Sequence, residues 1–361
     1  MGLAHCKCYG KKDFHNLPLA QEKEKKSVQN PMSSYQASED DLSKYQQNID
    51  KIILIQATFR GFLSRKENSD IIAKFKVTHV DVDFENCKKI DQIPDFSNAA
   101  TREAEKRVKP FDFSSYNFES EDPLIDRGPY ELENQSVYIG QWNNSNHRHG
   151  KGLQLWSDGS KYEGFWKNDV AHGLGRLIHA DGDIYEGEWV NDKAEGKGKY
   201  THFDNATYIG EWKADKQHGL GEELWPDNSK YQGMYTNGKK HGKGKFVWSD
   251  GSSYEVDFHY NYIQGKGIYK WNDGRVFEGD WKGNKMHGKG TFIWPDGRKY
   301  IGEYFEDKKE GHGEFLWPDG RKYTGAWKNG KQDGNGVYLN SRGIIREGEW
   351  KDGKRVRWLN K

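Results

Sequence analysis

A five-residue pattern, aromatic-x-Gly-x-aromatic, recurs through the C-terminal part of the chain at a fixed interval. Tyr162, Tyr185 and Tyr208 open three successive copies, each 23 residues after the preceding one. Each interval also contains a Gly-x-Gly pair, such as Gly173 and Gly175. A fixed period of this length is typical of repeat architectures, in which each unit contacts its neighbours. The chain is therefore expected to form an array of small units.

Two tight turns divide each repeat into two short strands. Asp-Gly, as at Asp158-Gly159, separates most units, and Asn-Gly, as at Asn237-Gly238, lies within some of them. Such dipeptides between alternating segments predict β-hairpins. The repeats should therefore form an antiparallel meander.

Alternation along a strand explains why glycine accompanies large rings. In residues 162–166 (YEGFW) the first, third and fifth side chains share one face of the sheet. A ring can lie across a neighbouring glycine, where a Cβ would block it. One unit departs from the pattern, with Val256 at the glycine position. One interpretation is sequence drift that the array tolerates. The other is a local kink or a point of partner contact.

Composition agrees with a thin, aromatic-rich fold. Only 34% of the 361 residues are hydrophobic, which argues against one large core, while 14 Trp, 20 Tyr and 17 Phe argue against disorder. The formal net charge of +1 gives no field that would attract nucleic acid. No apolar run is long enough for a membrane-spanning helix, and three cysteines cannot form a disulfide framework.

Tyr-x-Gly-x-Trp with Gly-x-Gly every 23 residues resembles the MORN (membrane occupation and recognition nexus) repeat. The resemblance covers residues 138–358 and implies an all-β fold: an elongated, single-layer, twisted antiparallel β-meander of nine to ten units. Members of this family mostly scaffold other proteins or contact membranes. The chain ends shortly after Trp350, and we expect no attached enzyme domain there.

The shared aromatic face is predicted to be the main partner site, because a large uncovered apolar strip usually marks an interface. Its candidate occupants are a helical or extended segment of an unknown protein, residues 77–130 of this chain, or a second copy in a homodimer. The alternative is that the rings only cover glycines and hold the sheet. The predicted groove residues are Tyr162, Trp166, Tyr185, Trp189, Tyr208, Trp212, Tyr231, Trp281, Tyr300 and Trp327.

The two classes of turn carry opposite charge. Turns within units are lysine-rich, as in residues 237–243 (NGKKHGK), and turns between units carry aspartate, as at Asp250. An up-and-down meander places the two classes on opposite edges. Simple solvation explains such turns. The alternative function is a phosphoinositide- or anionic-lipid-binding membrane organiser that acts through the repeats.

Residues 43–76 are predicted to be helical, since apolar residues recur at helical spacing. Within them, residues 55–65 (IQATFRGFLSR) resemble the IQ motif, which implies calmodulin or a calmodulin-like light chain as a partner. A basic amphipathic helix suits the Met-rich groove of such a partner. A helix packed on the protein's own sheet is the alternative. The motif residues are Ile55, Gln56, Arg60, Gly61 and Arg65.

Residues 1–42 are polar and predicted to be a disordered tail, and residues 77–137 an irregular spacer. The start, MGLAHCKC, resembles an acylation signal, with Gly2 as the myristoylation site and Cys6 and Cys8 as palmitoylation sites. Two acyl chains hold a protein stably at a membrane. An unmodified start with free thiols is the alternative.

Catalytic chemistry is not expected from this sequence. Equivalent histidines such as His149 and His172 recur once per unit and would lie roughly 10 Å apart, too far to share one zinc ion. No catalytic constellation and no cofactor motif is discernible. The sequence predicts a non-enzymatic scaffold in the cytoplasm, on the cytosolic membrane face, or in the cytoskeleton or cilium.

Overall fold

A computed structural model describes residues 82–121 and 123–359. These residues form one open antiparallel sheet of 22 strands, with a single α-helix among them. Each strand pairs with the next along the chain, as β5 pairs with β6 and β6 with β7. The all-β meander predicted from the repeat is confirmed. The predicted tail at 1–42 and helix at 43–76 lie outside the described residues.

The elements alternate regularly once the repeats begin. Short 3-10 helices lie at Phe84–Asn86 and Phe113–Ser115, and the α-helix is α1 (Ala99–Arg107). The strands are β1 (Lys88–Lys89), β2 (Ile125–Glu131), β3 (Val137–Trp142), β4 (Arg148–Leu155), β5 (Lys161–Lys167), β6 (Val170–Ile178), β7 (Ile184–Val190), β8 (Lys193–Thr201), β9 (Thr207–Lys213), β10 (Lys216–Leu224), β11 (Lys230–Thr236), β12 (Lys239–Val247), β13 (Ser253–His259), β14 (Tyr262–Lys270), β15 (Val276–Lys282), β16 (Lys285–Ile293), β17 (Lys299–Phe305), β18 (Lys308–Leu316), β19 (Lys322–Lys328), β20 (Lys331–Leu339), β21 (Ile345–Lys351) and β22 (Lys354–Trp358).

A row of glycines crosses the sheet, and tyrosine rings lie on it. Gly152 pairs with Gly164, and Gly164 pairs with Gly175 on the next strand. A Cβ added to Gly175 would lie 2.6 Å from Cζ and 2.7 Å from Cε2 of Tyr162. The ring therefore fills the space that any larger residue would need. This is the arrangement that strand alternation predicts.

Within the hairpin of each unit, the two strands fall out of register beyond the glycine pair, whereas strands of adjacent units stay in register. In the hairpin of β5 and β6, Phe165 alone faces residues 172–174 before the ladder resumes at Trp166. Gly173 lies in this bulge at φ 90°, a left-handed conformation that glycine adopts without steric cost. The carbonyl of Phe165 accepts a hydrogen bond from the Tyr162 hydroxyl at 3.1 Å. The covering ring thus also provides a donor at the irregular position.

Turns within units are fastened to the preceding unit. The backbone N–H of Asp192 donates to the carbonyl of Ala171 at 3.0 Å, and its carboxylate accepts from the N–H of Ala171 at 2.7 Å. Asp215 forms the same pair of bonds with Ala194, at 3.1 and 2.8 Å. Asp192 has φ 63°, a conformation that Asp and Asn tolerate better than most residues. Adjacent units are therefore joined at this edge as well as through the ladder.

Turns between units are short loops stabilised by an aspartate. Gly159, at φ 96°, donates its N–H to the carbonyl of Trp156 at 3.0 Å. The carboxylate of Asp158 accepts from the N–H of Ser160 at 2.8 Å. A turn followed by a left-handed glycine is a common three-residue hairpin loop. The hairpins predicted from Asp-Gly are confirmed.

The unit that contains Val256 keeps its register. Val256 pairs with Gly244 on one side and with Gly267 on the other, and it is buried. Its side chain occupies the space over Gly267 that a tyrosine ring fills in standard units. The ring centroids of Tyr254 and Phe258 are consequently 6.4 Å apart, compared with 5.0 to 5.6 Å in standard units. The ladder accepts the substitution without a kink in pairing, and a partner contact at this unit stays a prediction.

The stretch before the repeats differs from the irregular spacer predicted for residues 77–137. It contains α1, which begins after Asn98, whose side chain accepts from the N–H groups of Ala100 and Thr101. It also contains β1 and β2, and β2 pairs with β3. The sheet therefore begins before the first repeat. These elements lack the 23-residue period, which is why the sequence pattern missed them.

The glycine row can be tested with Gly175→Ala. We expect this change to lower the free energy of unfolding by about 1–3 kcal/mol, because the new Cβ must displace the Tyr162 ring. Gly128→Ala on β2 is the matched control, since a Cβ there would meet only Cε of Lys89 at 3.7 Å. Urea unfolding followed by tryptophan fluorescence measures both. Equal midpoints for the two variants would show that ring contact does not require glycine.

Candidate functional site

The aromatic face is closed, which differs from the open groove that the sequence predicted. Tyr162 and Trp166 are 0% exposed, and Trp327, the most exposed of the ten predicted groove residues, is 6% exposed. The assumption that these rings form an uncovered strip is therefore wrong. As the structure stands, a partner could not contact their side chains.

The rings are buried because they pack against each other from unit to unit. The ring centroid of Tyr185 lies 5.1 Å from that of Trp189 on its own strand and 5.3 Å from that of Trp212 in the next unit. Both contacts are edge-to-face, with interplanar angles of 89° and 83°. The indole of Trp189 also donates to the carbonyl of Gly175 at 3.2 Å. We call this row of packed rings, which includes Tyr185, Trp189 and Trp212, the ring ladder. It forms the core of the sheet, as the alternative interpretation proposed.

Cations enter the ring ladder at one repeat position. Lys309 is 6% exposed, and its Nζ lies 4.9 Å from each of four ring centroids, in Trp294, Tyr300, Phe315 and Trp327. Burial lowers the pKa of Lys309 to about 7. Ring faces attract a cation, but they replace only part of its lost hydration. The sequence analysis did not single out this lysine.

The same position is occupied differently in neighbouring units. Met286, one unit before Lys309, is buried, and because its side chain is uncharged, its burial does not remove water from a charged group. Lys240, three units before Lys309, forms an ion pair with Glu223 at 2.7 Å. The fold therefore accepts an apolar or a charged side chain here, provided that it fits among the rings.

The opposite face of the sheet is partly covered by the chain itself. We call residues 109–121 the strap. Three strap rings, Phe113, Tyr116 and Phe118, lie on Phe165, with centroid distances of 5.7, 5.1 and 5.6 Å. Phe165 is 0% exposed as a result. The described part of residues 77–130 does pack on the first units. The strap lies on the face opposite the ring ladder, while Phe84 and Tyr130 contact Trp142 at the start of the ring ladder, with ring centroids 5.1 and 6.0 Å away.

Helix α1 holds the start of the strap along the aspartate edge. The side-chain amide of Asn98 donates to the carbonyls of Asp158 and Ala180, at 3.2 and 2.8 Å. The guanidinium of Arg107 donates to the carbonyls of Gly182 and Phe203, at 3.1 and 3.2 Å. Backbone carbonyls of three successive turns are thus used by this one segment. The strap is fixed at its other end by β2, which pairs with β3.

Beyond the strap the opposite face is exposed. Ile209, Leu220 and Met234 on β9 to β11 are 54%, 61% and 39% exposed. Further along, β13 to β19 form an open groove of about 1030 Å³ on this face, lined by alternating charges such as Lys266 and Glu278. Over these strands the opposite face offers side chains to a partner, and on the ring side Trp294 and Trp317 are only half-buried.

Several predicted sites are not covered by the described residues. The IQ residues Ile55, Gln56, Arg60, Gly61 and Arg65 and the acylation residues Gly2, Cys6 and Cys8 all lie before residue 82. Within residues 82–121 and 123–359, no helix is long and apolar enough to cross a membrane. In the same part of the chain, no group of three or more His, Cys, Asp or Glu residues is arranged to hold a metal ion.

The fold and its ring ladder define a β-repeat protein whose core is contained in one sheet. The sequence profile of the MORN repeat matches ten successive segments between residues 138 and 356. The chain therefore belongs to the MORN repeat family.

Solved structures give weaker similarities. The TCP10 domain of Danio rerio CPAP in complex with a peptide of Danio rerio STIL is 12% identical, over 66% of this chain and 100% of that one, with a TM-score of 0.34. The SAS-4 (dCPAP) TCP domain of Drosophila melanogaster, in complex with a proline-rich motif of Ana2 (dSTIL), is 15% identical, over 52% and 96%, with a TM-score of 0.29. No curated protein matches the sequence. Scores this low carry no conclusion about function.

The free-energy cost of burying the Lys309 ammonium can be tested with Lys309→Met, which introduces the residue type that Met286 provides at the same repeat position. The pKa of Lys309 is about 7 in the folded protein and 10.5 as the ordinary value, so the unfolded chain binds more protons between these pH values. The free energy of unfolding should therefore rise with pH from 7 to 10.5. The variant should lose this dependence and be more stable than the wild type at pH 7, by about 1–3 kcal/mol.

Thermal unfolding over this pH range measures both effects. Lys308→Met, at the exposed neighbouring position, is the control and should change neither the stability nor its pH dependence. A Lys309→Met protein that is less stable at pH 7 would contradict the argument, because it would show that the surroundings of Lys309 stabilise its ammonium more than water does.

Proposed function

We propose that this MORN protein is a non-enzymatic scaffold that binds other proteins through the exposed face of its sheet. The observation that supports this is the strap. It shows a protein segment lying on the face opposite the ring ladder, while the same face stays open beyond it. The ring ladder then has an internal task, which is to hold the units in register.

The lysine edge supports a second candidate, a membrane organiser that binds anionic lipid headgroups. Lys239, Lys282 and Lys308 are exposed at turns of the same class, and therefore lie along one edge of the sheet. Contacts between exposed lysines and headgroups are screened by salt, whereas apolar contacts are not. Ionic strength therefore separates the two candidates.

We expect the protein to retain its protein partners when the charge of this edge is reversed. The variant carries Lys239→Glu, Lys282→Glu and Lys308→Glu, and affinity purification with mass spectrometry compares it with the wild type. Sedimentation with phosphoinositide-containing vesicles, at about 50 and 500 mM salt, measures lipid binding by the same two proteins. Partner loss in the edge variant, together with salt-sensitive vesicle binding by the wild type, would favour the membrane organiser.

We further propose that the IQ motif at residues 55–65 recruits calmodulin or a calmodulin-like light chain to the scaffold. The support is the full match of Ile55, Gln56, Arg60, Gly61 and Arg65 to the motif. Apolar and basic side chains on one helix suit the groove and acidic rim of such a partner. The scaffold would then respond to a calcium sensor.

Calorimetric titration of the full chain with calmodulin, with and without calcium, tests this proposal. We expect binding in at least one condition and its loss in the double variant Ile55→Ala, Arg60→Ala. Absence of heat in both conditions, or equal binding by the variant, would rule out this use of the motif. A variant with Ser64→Ala, inside the motif at a position that the pattern leaves open, is the control.

A membrane tether at Gly2, Cys6 and Cys8 completes the proposal, because two acyl chains would hold the scaffold at a cytosolic membrane face. A cytoplasmic, cytoskeletal or ciliary location remains equally compatible with an unmodified tail. The mass of the intact native protein decides between them. Retained Met1, or an unmodified Gly2 with both thiols free, would exclude the tether.

A further inference from the structure

The surface around Phe165 that the strap covers is called the first seat. We infer that the exposed face of β9 to β11 is a second seat, that is, an equivalent binding surface for a segment similar to the strap, supplied by another protein. The seat consists of Ile209, Leu220 and Met234. Its ligand is an extended segment that carries aromatic side chains two or three residues apart, as the strap does at 111, 113, 116 and 118. The inference rests on the proposed scaffold function and identifies the surface and the chemistry of the partner.

The first argument is that residues of the second seat occupy the same repeat positions as residues beneath the strap. Met234 follows Phe165 by three repeats, and both stand between the glycine and the second aromatic residue of their strand. Phe165 lies under three strap rings and is 0% exposed, whereas Met234 is 39% exposed. Leu220 follows Leu174 by two repeats, and both stand inside Gly-x-Gly. Leu174 is half-buried, beside the Gly173 on which Tyr116 lies, whereas Leu220 is 61% exposed.

The second argument is that the three side chains form one patch. Leu220 and Met234 are direct cross-strand partners on β10 and β11. Ile209 lies on β9, where it pairs with Glu222 of β10, and it points to the same face by strand alternation. Side chains opposite each other on adjacent strands lie close enough to be covered together. Leu220 and Met234 are therefore adjacent, and Ile209 lies diagonally from Leu220 across β9 and β10, so that one extended ligand could contact all three side chains.

The strap shows which chemistry suits such a seat. Strap residues 113, 116 and 118 contribute rings, and the residues between them, such as Ser114 and Asn117, are exposed. None of the strap residues 116–121 is part of a strand, so the contact depends on side chains and not on ladder pairing. Aromatic rings pack well on Leu and Ile, and they form favourable contacts with the sulfur of Met. An aromatic segment with polar residues between its rings therefore fits the second seat.

The chain's own strap does not reach this seat while it holds the first one. Arg107 at the end of α1 is bonded to the turn carbonyls of Gly182 and Phe203, and β2 is paired with β3. The strap is thus held at one end by the turns that follow β6 and β8 and at the other end by β3, and its rings lie on Phe165 of β5. The second seat continues the same interface along the sheet and is left for a segment from another molecule.

A labelled synthetic peptide of residues 109–121 (KPFDFSSYNFESE) serves as the probe, added to the full-length protein and followed by fluorescence anisotropy. We expect saturable binding that Leu220→Glu weakens about tenfold or more, because a carboxylate would be buried beneath the rings. Val337→Glu is the matched control: Val337 is 40% exposed, lies on β20 outside both the second seat and the open groove, and points to the same face by strand alternation. A peptide with Phe113→Ala and Phe118→Ala should not bind.

Four outcomes would overturn the inference. The first is no binding of the probe, and the second is binding that Leu220→Glu leaves unchanged, as expected if the probe only replaces the strap on the first seat. The third is concentration-dependent self-association of the protein, in sedimentation velocity, that Leu220→Glu abolishes, since a second copy would then be the occupant. The fourth is that the Leu220→Glu protein still captures every native partner, which would exclude the second seat but leave the scaffold proposal intact. If no partner is captured by the wild type, the scaffold proposal itself fails.

Discussion

The contact between a tyrosine ring and a pair of glycines is the interaction on which the rest of this sheet depends. A ring that lies flat on its own sheet leaves no room for a Cβ beneath it, as the Gly175 position beside Tyr162 shows. This geometry lets a single sheet bury large apolar areas without a second layer. It also fixes the distance at which the next ring meets the first, since Tyr162 contacts both Trp166 and Trp189 edge to face. Register and core are therefore set by one contact that is repeated along the chain.

The same contact explains the bulge and the turns. The Tyr185 hydroxyl reaches the carbonyl of Glu188 at 3.0 Å, at the point where the register shifts. The extra residues of the partner strand contain a left-handed glycine, which brings the chain to the turn. The turn is then fastened to the preceding unit by two hydrogen bonds, as in Asp192 and Ala171. Each unit is thus stabilised mainly by its neighbours, which is how repeat proteins gain stability.

Much of this fold could be predicted from the sequence, because strands, turns and glycine positions are local properties that recur every 23 residues. The exposure of the rings could not be predicted. Alternation tells which side chains share a face, but Tyr185 is buried by Trp212 of another unit, and that contact depends on sheet curvature. Residues 77–130 were one predicted cover of the aromatic groove, but the position of the strap on the opposite face could not be predicted, because residues 82–121 have no period. The spacing of its rings, at 111, 113, 116 and 118, was the one available signal.

Repetition divides the side chains of this protein into two sets with different freedom. Positions on the ring face are constrained by neighbours on both sides, and even Lys309 lies there among four rings. Some positions on the opposite face also serve the fold, since Glu188 and Glu211 accept hydrogen bonds from backbone N–H groups of the next strand. The centre of Gly-x-Gly is freer, since it holds Leu174 in one unit and Lys197 in the next. A partner that reads this face meets a sequence of side chains that the fold does not dictate. Specificity in such an array therefore resides in the residues that the repeat pattern leaves open, and binding can change there without loss of the sheet.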